Sequence, residues 1–345
     1  MGLAVGVIGT GVMGSTHART IATAVSGARL AAVSDVDADR AAAVAAGLGC
    51  ERVHRDPYAL IADPSVDAVL IVSSDATHVD FTLACLEAGK PVLCEKPLAP
   101  TAAACLDVVQ AESALGRRLV QVGFMRRFDA GYAELKRMLD GGEIGAALML
   151  HCVHRNPSVP PHYTSDMLIT SSATHEIDVA RWLLGEELVA ATVHAPRSSS
   201  LAPDRLRDPQ FVLLEGASGA LIDVEVFVTA RYGYDIRCEV VGERGTVSLA
   251  PPTRVLVRRD RGDTAPVPGD FRDRFADAYR TQFQAWVAAL AAGGPQGPSA
   301  WDGYATAVVA DACLESLATG ARTAVALAPR PELYADARAG AVPVA

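Results

Sequence analysis

The chain has 345 residues, of which 50% are hydrophobic and 21% are charged. This length fits two compact domains, and this composition excludes an intrinsically disordered chain. The formal net charge is −9 at pH 7, which disfavours a nucleic-acid partner because an acidic surface repels a phosphate backbone. We therefore predict a folded protein of two domains that binds no nucleic acid.

The N-terminal sequence predicts a cytoplasmic protein without a membrane segment. It leads into an apolar run with no basic stretch and no small-residue cleavage site. Arg19, Arg29 and Asp35 interrupt the early apolar sequence, which therefore falls short of the roughly 18 apolar residues of a membrane helix. The seven cysteines form no Cys-x-x-Cys pair, which is typical of buried thiols in a reducing compartment.

From residue 1 to about residue 125, short apolar runs alternate with amphipathic stretches. The apolar runs are AVGVIG, LAAVSD, DAVLIV, KPVLCE and RLVQVG. The helical stretches between them cover about residues 16–25, 38–46, 79–88 and 101–114. Because continuous apolar strands separated by helices are typical of a sheet covered on both faces, we predict an α/β domain with a doubly wound parallel sheet over residues 1–125.

After about residue 145 the pattern changes to longer strands without helices between them. These strands are AALMLHCVH, FVLLEG, GALIDVEVFV, IRCEVVG, GTVSLA and RVLVRR. Their succession predicts a second α/β domain, residues 126–345, with a large and mostly antiparallel open sheet that has one exposed face. Two late helices, at about 275–292 and 305–318, are expected to pack back on the first domain.

The segment VGVIGTGVMG at 5–14 places three glycines in the spacing G-x-G-x-x-G, between an apolar strand and a helix. This context is the one that a dinucleotide-binding loop requires. The first glycine permits the tight turn, the second lets the pyrophosphate approach the backbone, and the third allows close helix packing. The residues expected to contact the cofactor here are Gly9, Gly11, Val12, Met13 and Gly14.

Asp35 ends the second predicted strand, where an acidic residue accepts hydrogen bonds from the adenosine ribose hydroxyls. Because a carboxylate repels a 2′-phosphate, the sequence predicts NAD as the cofactor. The alternative is that the glycines form an ordinary tight turn and Asp35 caps a helix. Ser73 and His78 follow the apolar run DAVLIV and are candidates for ribose or nicotinamide contacts, although His78 could also be a solvent-facing residue at a helix start.

Oxidation of a secondary alcohol needs a base that accepts the hydroxyl proton and a cation that stabilises the developing alkoxide. The segment Cys94-Glu95-Lys96-Pro97 lies at the end of the apolar run KPVLCE, beside the expected nicotinamide position, so that Glu95 and Lys96 are candidate cofactor contacts. A surface lysine is the alternative for Lys96. If residues 170–185 are helical, Ser171, His175 and Asp178 lie on one helical face.

At this point the sequence resembles the family of glucose-fructose oxidoreductase and inositol dehydrogenase, Gfo/Idh/MocA, and especially its inositol branch. The glycine motif and EKP at 95–97 are common to the broad family. The more particular stretches are VQVGFMRR at 120–127, HCVHRNPSV at 151–159, HEID at 175–178, YGYDIRCEVVGERG at 232–245 and GPSAWDGY at 297–304. The resemblance covers nearly the whole chain.

The resemblance implies a Rossmann domain, a C-terminal domain with an open sheet, a homotetramer assembled through those sheets, and NAD-dependent oxidation of a cyclitol. It implies that Lys96 hydrogen-bonds the reacting hydroxyl and that His175 is the general base. The residues expected around the cyclitol are Arg126, His154, Asn156, Ser171, Asp178, Tyr234 and Tyr279. A polyol requires many such partners, because each unpaired buried polar group costs roughly 1–3 kcal/mol.

Ser171 departs from the family pattern, which commonly has an aspartate four residues before the catalytic histidine. Without that carboxylate, the cation that forms on His175 lacks a nearby negative partner. Three interpretations follow: Ser171 hydrogen-bonds a substrate hydroxyl, a modified substrate such as an aminocyclitol fills the space, or the activity is weakened. Asp166 lies nine positions before His175 and is a poor substitute.

Two other functions compete with cyclitol oxidation. The same fold serves many polyols, so that the substrate could be another sugar or a sugar acid. The chain could also be a non-catalytic NAD-binding regulator, although it retains both Lys96 and His175. No metal site is expected, since His151 and His154 point to opposite faces of a strand.

Overall fold

The computed structural model describes residues 2–250, 257–259 and 262–335. They form two compact units. Unit 1 comprises the described residues up to Phe128, together with Asp277–Ala307 and those from Ala328 onward. Unit 2 comprises the described residues of Asp129–Ala276 and Val308–Leu327. The predicted division of the chain near residue 125, into a cofactor-binding part and a substrate-binding part, stays a prediction.

Unit 1 contains a six-stranded parallel sheet, as predicted, with the strand order β3-β2-β1-β4-β5-β6. The strands are β1 (Leu3–Ile8), β2 (Ala28–Ser34), β3 (Val53–His54), β4 (Ala68–Ile71), β5 (Val92–Cys94) and β6 (Val120–Val122). Every residue of β4, β5 and β6 is buried, which requires that both sheet faces are covered. The strand order reverses between β1 and β4, where ligands bind at the carboxyl ends of such sheets.

Five helices follow the strands of this sheet. They are α1 (Val12–Ala24), α2 (Ala38–Leu48), α3 (Pro57–Ala62), α4 (His78–Glu87) and α5 (Ala102–Leu115). Asp37 caps α2 by accepting a hydrogen bond from the Arg40 amide, and Thr101 caps α5 in the same way. In contrast, α1 begins at Gly11 without a side-chain cap, so that its first amides are available to a ligand.

Unit 2 contains a seven-stranded sheet with the order β12-β11-β7-β10-β9-β8-β15. Its strands are β7 (Ala147–Arg155), β8 (Leu188–His194), β9 (Gln210–Gly216), β10 (Leu221–Phe227), β11 (Asp235–Gly242), β12 (Gly245–Ser248) and β15 (Thr323–Ala324). Only the β7–β10 pair is parallel in this sheet. These pairings confirm the predicted, mostly antiparallel sheet, and burial alternates along β9 and β10 as it does when one sheet face is exposed.

The remaining helices have bounds that follow the sequence pattern less closely. They are α6 (Ala130–Asp140), a π-helix (Leu168–Ala173), α7 (Thr174–Leu184), α8 (Phe271–Ala291) and α9 (Ala300–Thr319). Phe275 has a non-helical backbone, φ −118° and ψ 15°, and marks a kink in α8. No helix of the described ranges is long and apolar enough to cross a membrane.

Several elements were not predicted from the sequence. The strand β3 has two residues and α3 has six, so that neither is long enough to show a period. The predictions also missed α6 and β8. Of the predicted strand at 254–259, residues 254–256 lie outside the described residues, and the rest forms β13 (Val257–Arg259), which pairs with β14 (Gly262–Thr264) in a separate sheet.

The carboxylate of Glu112 joins three parts of unit 1 beneath strand β6. The Glu112 side chain is fully buried. Its Oε1 atom accepts hydrogen bonds from the amides of Leu119 and Val120, at 2.5 and 2.6 Å, and its Oε2 atom accepts one from the Tyr334 hydroxyl at 2.5 Å. Since Leu119 and Val120 lead into β6, this carboxylate fixes the start of that strand.

We expect Glu112→Leu to lower the free energy of unfolding by about 3 kcal/mol or more, because it leaves two buried amides and a hydroxyl without an acceptor. Tyr334→Phe removes one of the three donors and should cost about 1 kcal/mol. Urea unfolding monitored by circular dichroism measures both values. Equal stability of Glu112→Leu and the wild type would contradict this role.

Candidate active site

The glycine loop of unit 1 is packed so closely that only glycine fits at two of its three positions. Gly9 has φ 94°, and a Cβ atom there would lie 2.4 Å from the Val72 carbonyl oxygen. A Cβ atom at Gly14 would lie 1.9 Å from the Gly9 carbonyl oxygen. A Cβ atom at Gly11, in contrast, would meet no atom within 4 Å. The open space at Gly11 fits a pyrophosphate that approaches the backbone.

Two further loop residues lie at the start of α1 beside this space. Val12 is 67% exposed, and Met13 is half-buried. An exposed apolar residue at an uncapped helix start is a suitable contact for the cofactor. The glycine loop and the first turn of α1 therefore have the shape and the free amides that the predicted dinucleotide site requires.

Asp35, at the end of β2, is held by hydrogen bonds from the glycine loop. Its Oδ2 atom accepts hydrogen bonds from the Thr10 amide at 2.6 Å and from the Thr10 hydroxyl at 2.9 Å. Burial raises the pKa of the Asp35 carboxyl, but hydrogen bonds from two backbone amides, from Arg40 and from the Thr10 hydroxyl outweigh it and lower the pKa to about 2. Asp35 is therefore ionised at neutral pH, as an acceptor for ribose hydroxyls must be.

Ser73 and His78 lie after β4, as predicted, and both are held by local hydrogen bonds. The Ser73 hydroxyl is 2.7 Å from the Thr77 hydroxyl. His78 is only 1% exposed, and its Nδ1 and Nε2 atoms lie 2.7 Å from the Pro97 carbonyl and 3.2 Å from the Ser73 carbonyl. The alternative of a solvent-facing His78 is therefore wrong.

The two carbonyl partners of His78 both require a donor, which favours the protonated ring. Burial lowers the pKa of His78, but the neighbouring Cys94 sulfur and the Pro97 carbonyl outweigh it and raise the pKa to about 10. The ring joins the loop after β4 to the loop after β5. This contact places His78 in a position to orient the segment that carries Lys96.

Glu95 is buried beside the half-buried Lys96. Its Oε1 atom lies 2.8 Å from the His17 Nε2 atom, and its Oε2 atom accepts a hydrogen bond from the Lys96 amide at 3.2 Å. Although burial raises the pKa of Glu95, the hydrogen bond and charge of His17 lower it below its usual value. Sequence reasoning did not single out His17, because nothing in the pattern of α1 distinguishes it from a core residue.

The His17 ring also contacts aromatic residues of α8. Its centroid lies 5.0 Å from that of Tyr279 and 4.9 Å from that of Phe283. Tyr279 is 8% exposed, and the predicted substrate role of this residue stays a prediction. Arg126 is fully buried in a short 3-10 helix that follows β6.

In unit 2, the predicted substrate residues of β7 and α7 form a buried histidine cluster. His154 and His175 are 3% and 7% exposed, and their ring centroids lie 6.5 Å apart with an interplanar angle of 27°. The Tyr234 ring packs edge-on against His154 at 5.8 Å. Asp178 is also buried, one turn after His175. The structure thus brings four of the predicted residues of this unit into one region.

Sequence reasoning missed Glu176, the carboxylate partner of this cluster. Glu176 is 1% exposed, and its two oxygens lie 3.0 and 3.1 Å from the His154 Nδ1 atom. The only sequence signal was its place next to His175. A buried carboxylate at this distance holds the proton of His154 on Nδ1 and leaves Nε2 as the atom that faces other partners.

Asn156 follows β7 and has a buried acceptor. Its amide donates a hydrogen bond to the Phe227 carbonyl at 3.0 Å, which fixes the backbone. Its side-chain Oδ1 atom is buried and has no hydrogen-bond partner among the described residues. Because a buried carbonyl oxygen without a donor costs roughly 1–3 kcal/mol, this atom fits a ligand that brings a hydroxyl group.

Ser171 lies in the π-helix and not in the α-helix that contains His175. The wider turn means that Ser171 and His175 do not have the regular i, i+4 relation that the sequence suggested. The hydroxyls of Ser171 and Ser172 both hydrogen-bond the phenol of the buried Tyr163. Because the Tyr163 hydroxyl is also within 2.6 Å of the Met167 carbonyl and donates there, the serine hydroxyls are the donors to its oxygen.

No group of three or more His, Cys, Asp and Glu side chains in the described ranges is arranged to bind a metal ion. His151 is exposed and His154 is buried, on opposite faces of β7.

Comparisons with known proteins agree with this geometry. Residues 3–124 match the family model described as an oxidoreductase family with an NAD-binding Rossmann fold, and residues 136–327 match its C-terminal alpha/beta domain. Inositol 2-dehydrogenase 2 of Saccharopolyspora erythraea is 57% identical over 97% of this chain and 99% of its own length.

Two solved structures are similar over almost the whole chain. The myo-inositol dehydrogenase of Lactobacillus casei, in complex with NAD(H) and myo-inositol, is 37% identical with a TM-score of 0.93, over 97% of this chain and all of that one. The scyllo-inositol dehydrogenase of the same organism, with NAD(H) and scyllo-inositol, is 26% identical with a TM-score of 0.88, over 95% and 100%. The chain belongs to the Gfo/Idh/MocA family of NAD-binding oxidoreductases.

Proposed function

We propose that this protein oxidises a secondary alcohol of a cyclitol, myo- or scyllo-inositol, to the ketone with NAD as the hydride acceptor. The observation that carries the proposal is the 57% identity, over nearly the full length of both chains, to an inositol 2-dehydrogenase. The NAD(H) complexes of two structural neighbours support the cofactor. The ionised Asp35 and the open space at Gly11 fit NAD.

The polar groups of unit 2 support a polyol substrate. The buried Asn156 Oδ1 atom is an acceptor that requires a donor, and His154 and Tyr234 bring further polar atoms to the same region. We propose Arg126, His154, Asn156, Asp178, Tyr234 and Tyr279 as the residues that bind the cyclitol hydroxyls. Several directional partners of this kind discriminate a cyclitol from a less hydroxylated alcohol.

We propose that His175 accepts the proton of the reacting hydroxyl and that Lys96 donates a hydrogen bond to the same oxygen. NAD, when bound, accepts the hydride from the carbon. As the proton leaves, negative charge develops on the oxygen, and the Lys96 ammonium stabilises it. Glu95 and His78 act through the loop that carries Lys96, because Glu95 contacts the Lys96 amide and His78 contacts the Pro97 carbonyl.

We propose a second substrate, an aminocyclitol, on the basis of Ser171. A serine is shorter than the aspartate that the family commonly has, so that it leaves space for a substituent. Its hydroxyl hydrogen-bonds the phenol of Tyr163, which holds the serine side chain in place. The side chain at 171 would then select between substrates that differ at one ring position.

We propose that NAD binding is the function of residues 1–125 and that substrate binding is the function of residues 126–345. We also propose that the protein is a cytoplasmic homotetramer in which unit 2 forms the subunit contacts. The exposed face of the seven-stranded sheet supports this assembly. It carries the exposed apolar side chains of Met149, Val189, Phe211 and Leu221. Met149 and Leu221 are neighbours in register, and apolar side chains grouped on one face are typical of a contact surface.

The experiment that tests the function is NADH formation with myo-inositol, scyllo-inositol, scyllo-inosamine and glucose. We expect the highest kcat/KM with one of the three cyclitols, and Lys96→Ala and His175→Ala should each lower kcat on it at least about a hundredfold, because each removes a group that handles the proton or the developing charge. The dissociation constant of NADH should stay nearly unchanged. A higher kcat/KM with glucose than with any cyclitol would contradict the proposed substrate. If Lys96→Ala or His175→Ala kept most of the wild-type kcat, the role proposed for that residue would be wrong.

Glu176 should act as a positioning residue for His154. We expect Glu176→Leu to lower kcat/KM about tenfold to a hundredfold, as the loss of a carboxylate that orients a histidine does. Glu176→Gln should stay within about threefold of the wild type, because its amide oxygen still accepts the Nδ1 proton. Glu187→Leu is the matched control, since Glu187 pairs with Arg181, which lies on α7 as Glu176 does. Equal losses in the Leu and Gln variants would show that charge, and not orientation, is required.

Ser171→Asp restores the residue that the family commonly has. A carboxylate near His175 stabilises the imidazolium, so that the acid limb of the pH–rate profile should move to higher pH and the rate on myo-inositol should rise. The same change should lower the rate on scyllo-inosamine by filling the space for its amino group. Efficiency on both substrates between about pH 6 and 10 measures the two effects, with Ser172→Ala as the control. If Ser171→Asp changed the efficiency on both substrates in the same direction, the proposal that Ser171 leaves space for an amino substituent would be rejected.

A further inference from the structure

The Asp35 carboxylate, which is expected to bind the adenosine ribose, is fully occupied by donors of the protein itself. Besides the Thr10 amide and hydroxyl, the Asp37 amide donates to Oδ1 at 2.9 Å. The Arg40 side chain supplies two more bonds, from Nη2 to Oδ1 at 2.6 Å and from Nε to Oδ2 at 3.4 Å. A carboxylate has about four acceptor positions, so that these five donors leave none for a ligand.

The donors differ in their ability to move. The Thr10 and Asp37 amides belong to the backbone, and Thr10 is 1% exposed. The Arg40 side chain is 44% exposed, whereas the Asp35 side chain with which it pairs is 4% exposed. A long and partly exposed arginine changes its rotamer at low cost, whereas the buried threonine and the backbone do not. Two ribose hydroxyls can therefore reach Asp35 only in place of Arg40.

We propose that Arg40 determines the cofactor specificity of this site. With NAD, Arg40 competes with the ribose hydroxyls for Asp35 and weakens binding. With NADP, the displaced guanidinium lies beside the 2′-position, binds the 2′-phosphate and offsets its repulsion by Asp35. The chain therefore prefers NAD but retains measurable affinity for NADP. The inference rests on the proposed use of a nicotinamide dinucleotide and not on the identity of the substrate.

The chemistry of the guanidinium supports this role. Its planar donors fit phosphate oxygens in pairs, and it is always charged at neutral pH. Arg40 also contacts the exposed Asp37 side chain at 3.2 Å, which gives it a second acceptor when it leaves Asp35. Asp35 keeps its orientation without Arg40, because the Thr10 and Asp37 donors remain.

The test is equilibrium titration of NADH and NADPH, followed by the fluorescence of the bound nicotinamide, for the wild type, Arg40→Ala and Arg52→Ala. Arg52 is the matched control: it is also a partly exposed arginine, 55%, and it pairs with a buried aspartate, Asp63, 8%, of the same unit. We expect Arg40→Ala to lower the NADH dissociation constant about twofold to fivefold, the scale of an exposed ion pair, and to raise that of NADPH about tenfold or more. Arg52→Ala should change neither.

Two results would overturn the inference. If NADPH affinity is the same in Arg40→Ala and the wild type, Arg40 does not bind the 2′-phosphate. If both affinities fall together in Arg40→Ala, the arginine only supports the local structure. The proposed substrate is tested separately, by turnover of the cyclitols. If the NADH and NADPH affinities change as expected but no cyclitol is turned over, the role of Arg40 stands and the cyclitol substrate is rejected.

Discussion

The close backbone crossing at the glycine loop is the constraint on which the cofactor site depends. A Cβ atom at Gly14 would lie 1.9 Å from the Gly9 carbonyl oxygen, and one at Gly9 would lie 2.4 Å from the Val72 carbonyl oxygen. Because these neighbours are backbone atoms, no side-chain movement relieves the overlap. The crossing fixes the start of α1, leaves its first amides uncapped, and directs the Thr10 amide at Asp35.

Unit 2 depends on a different interaction, the burial of polar side chains that already have hydrogen-bond partners inside the protein. Glu176 satisfies the Nδ1 atom of His154 inside the protein, so that the histidine enters a complex with its orientation already fixed. Asn156 shows the complementary arrangement, with a buried acceptor that the described residues leave for a donor from outside. A polyol is recognised when its hydroxyls complete such a set of partners.

The features that the sequence predicted well are those with a period or a fixed spacing. Apolar runs of the parallel sheet and the glycine motif are local patterns, and the structure confirmed the sheet and the loop. The sequence did not predict the roles of Glu176, Arg40 and Tyr163, because these roles depend on individual side-chain contacts that leave no repeating pattern in the sequence. The π-helix at Leu168–Ala173 was missed for a related reason, because its residues fit an α-helical pattern equally well.

Hydride transfer from a ring carbon of a cyclitol to NAD is the central activity proposed for this protein. The most direct test is to incubate the protein and NAD with myo-inositol that is deuterated at the carbon bearing the reacting hydroxyl. Mass spectrometry then measures the deuterium in the cofactor and identifies the cyclitol product. We expect the reduced cofactor to carry the deuterium and an inosose to form in equal amount. Reduced cofactor without deuterium, or no reduction with any inositol, would contradict it.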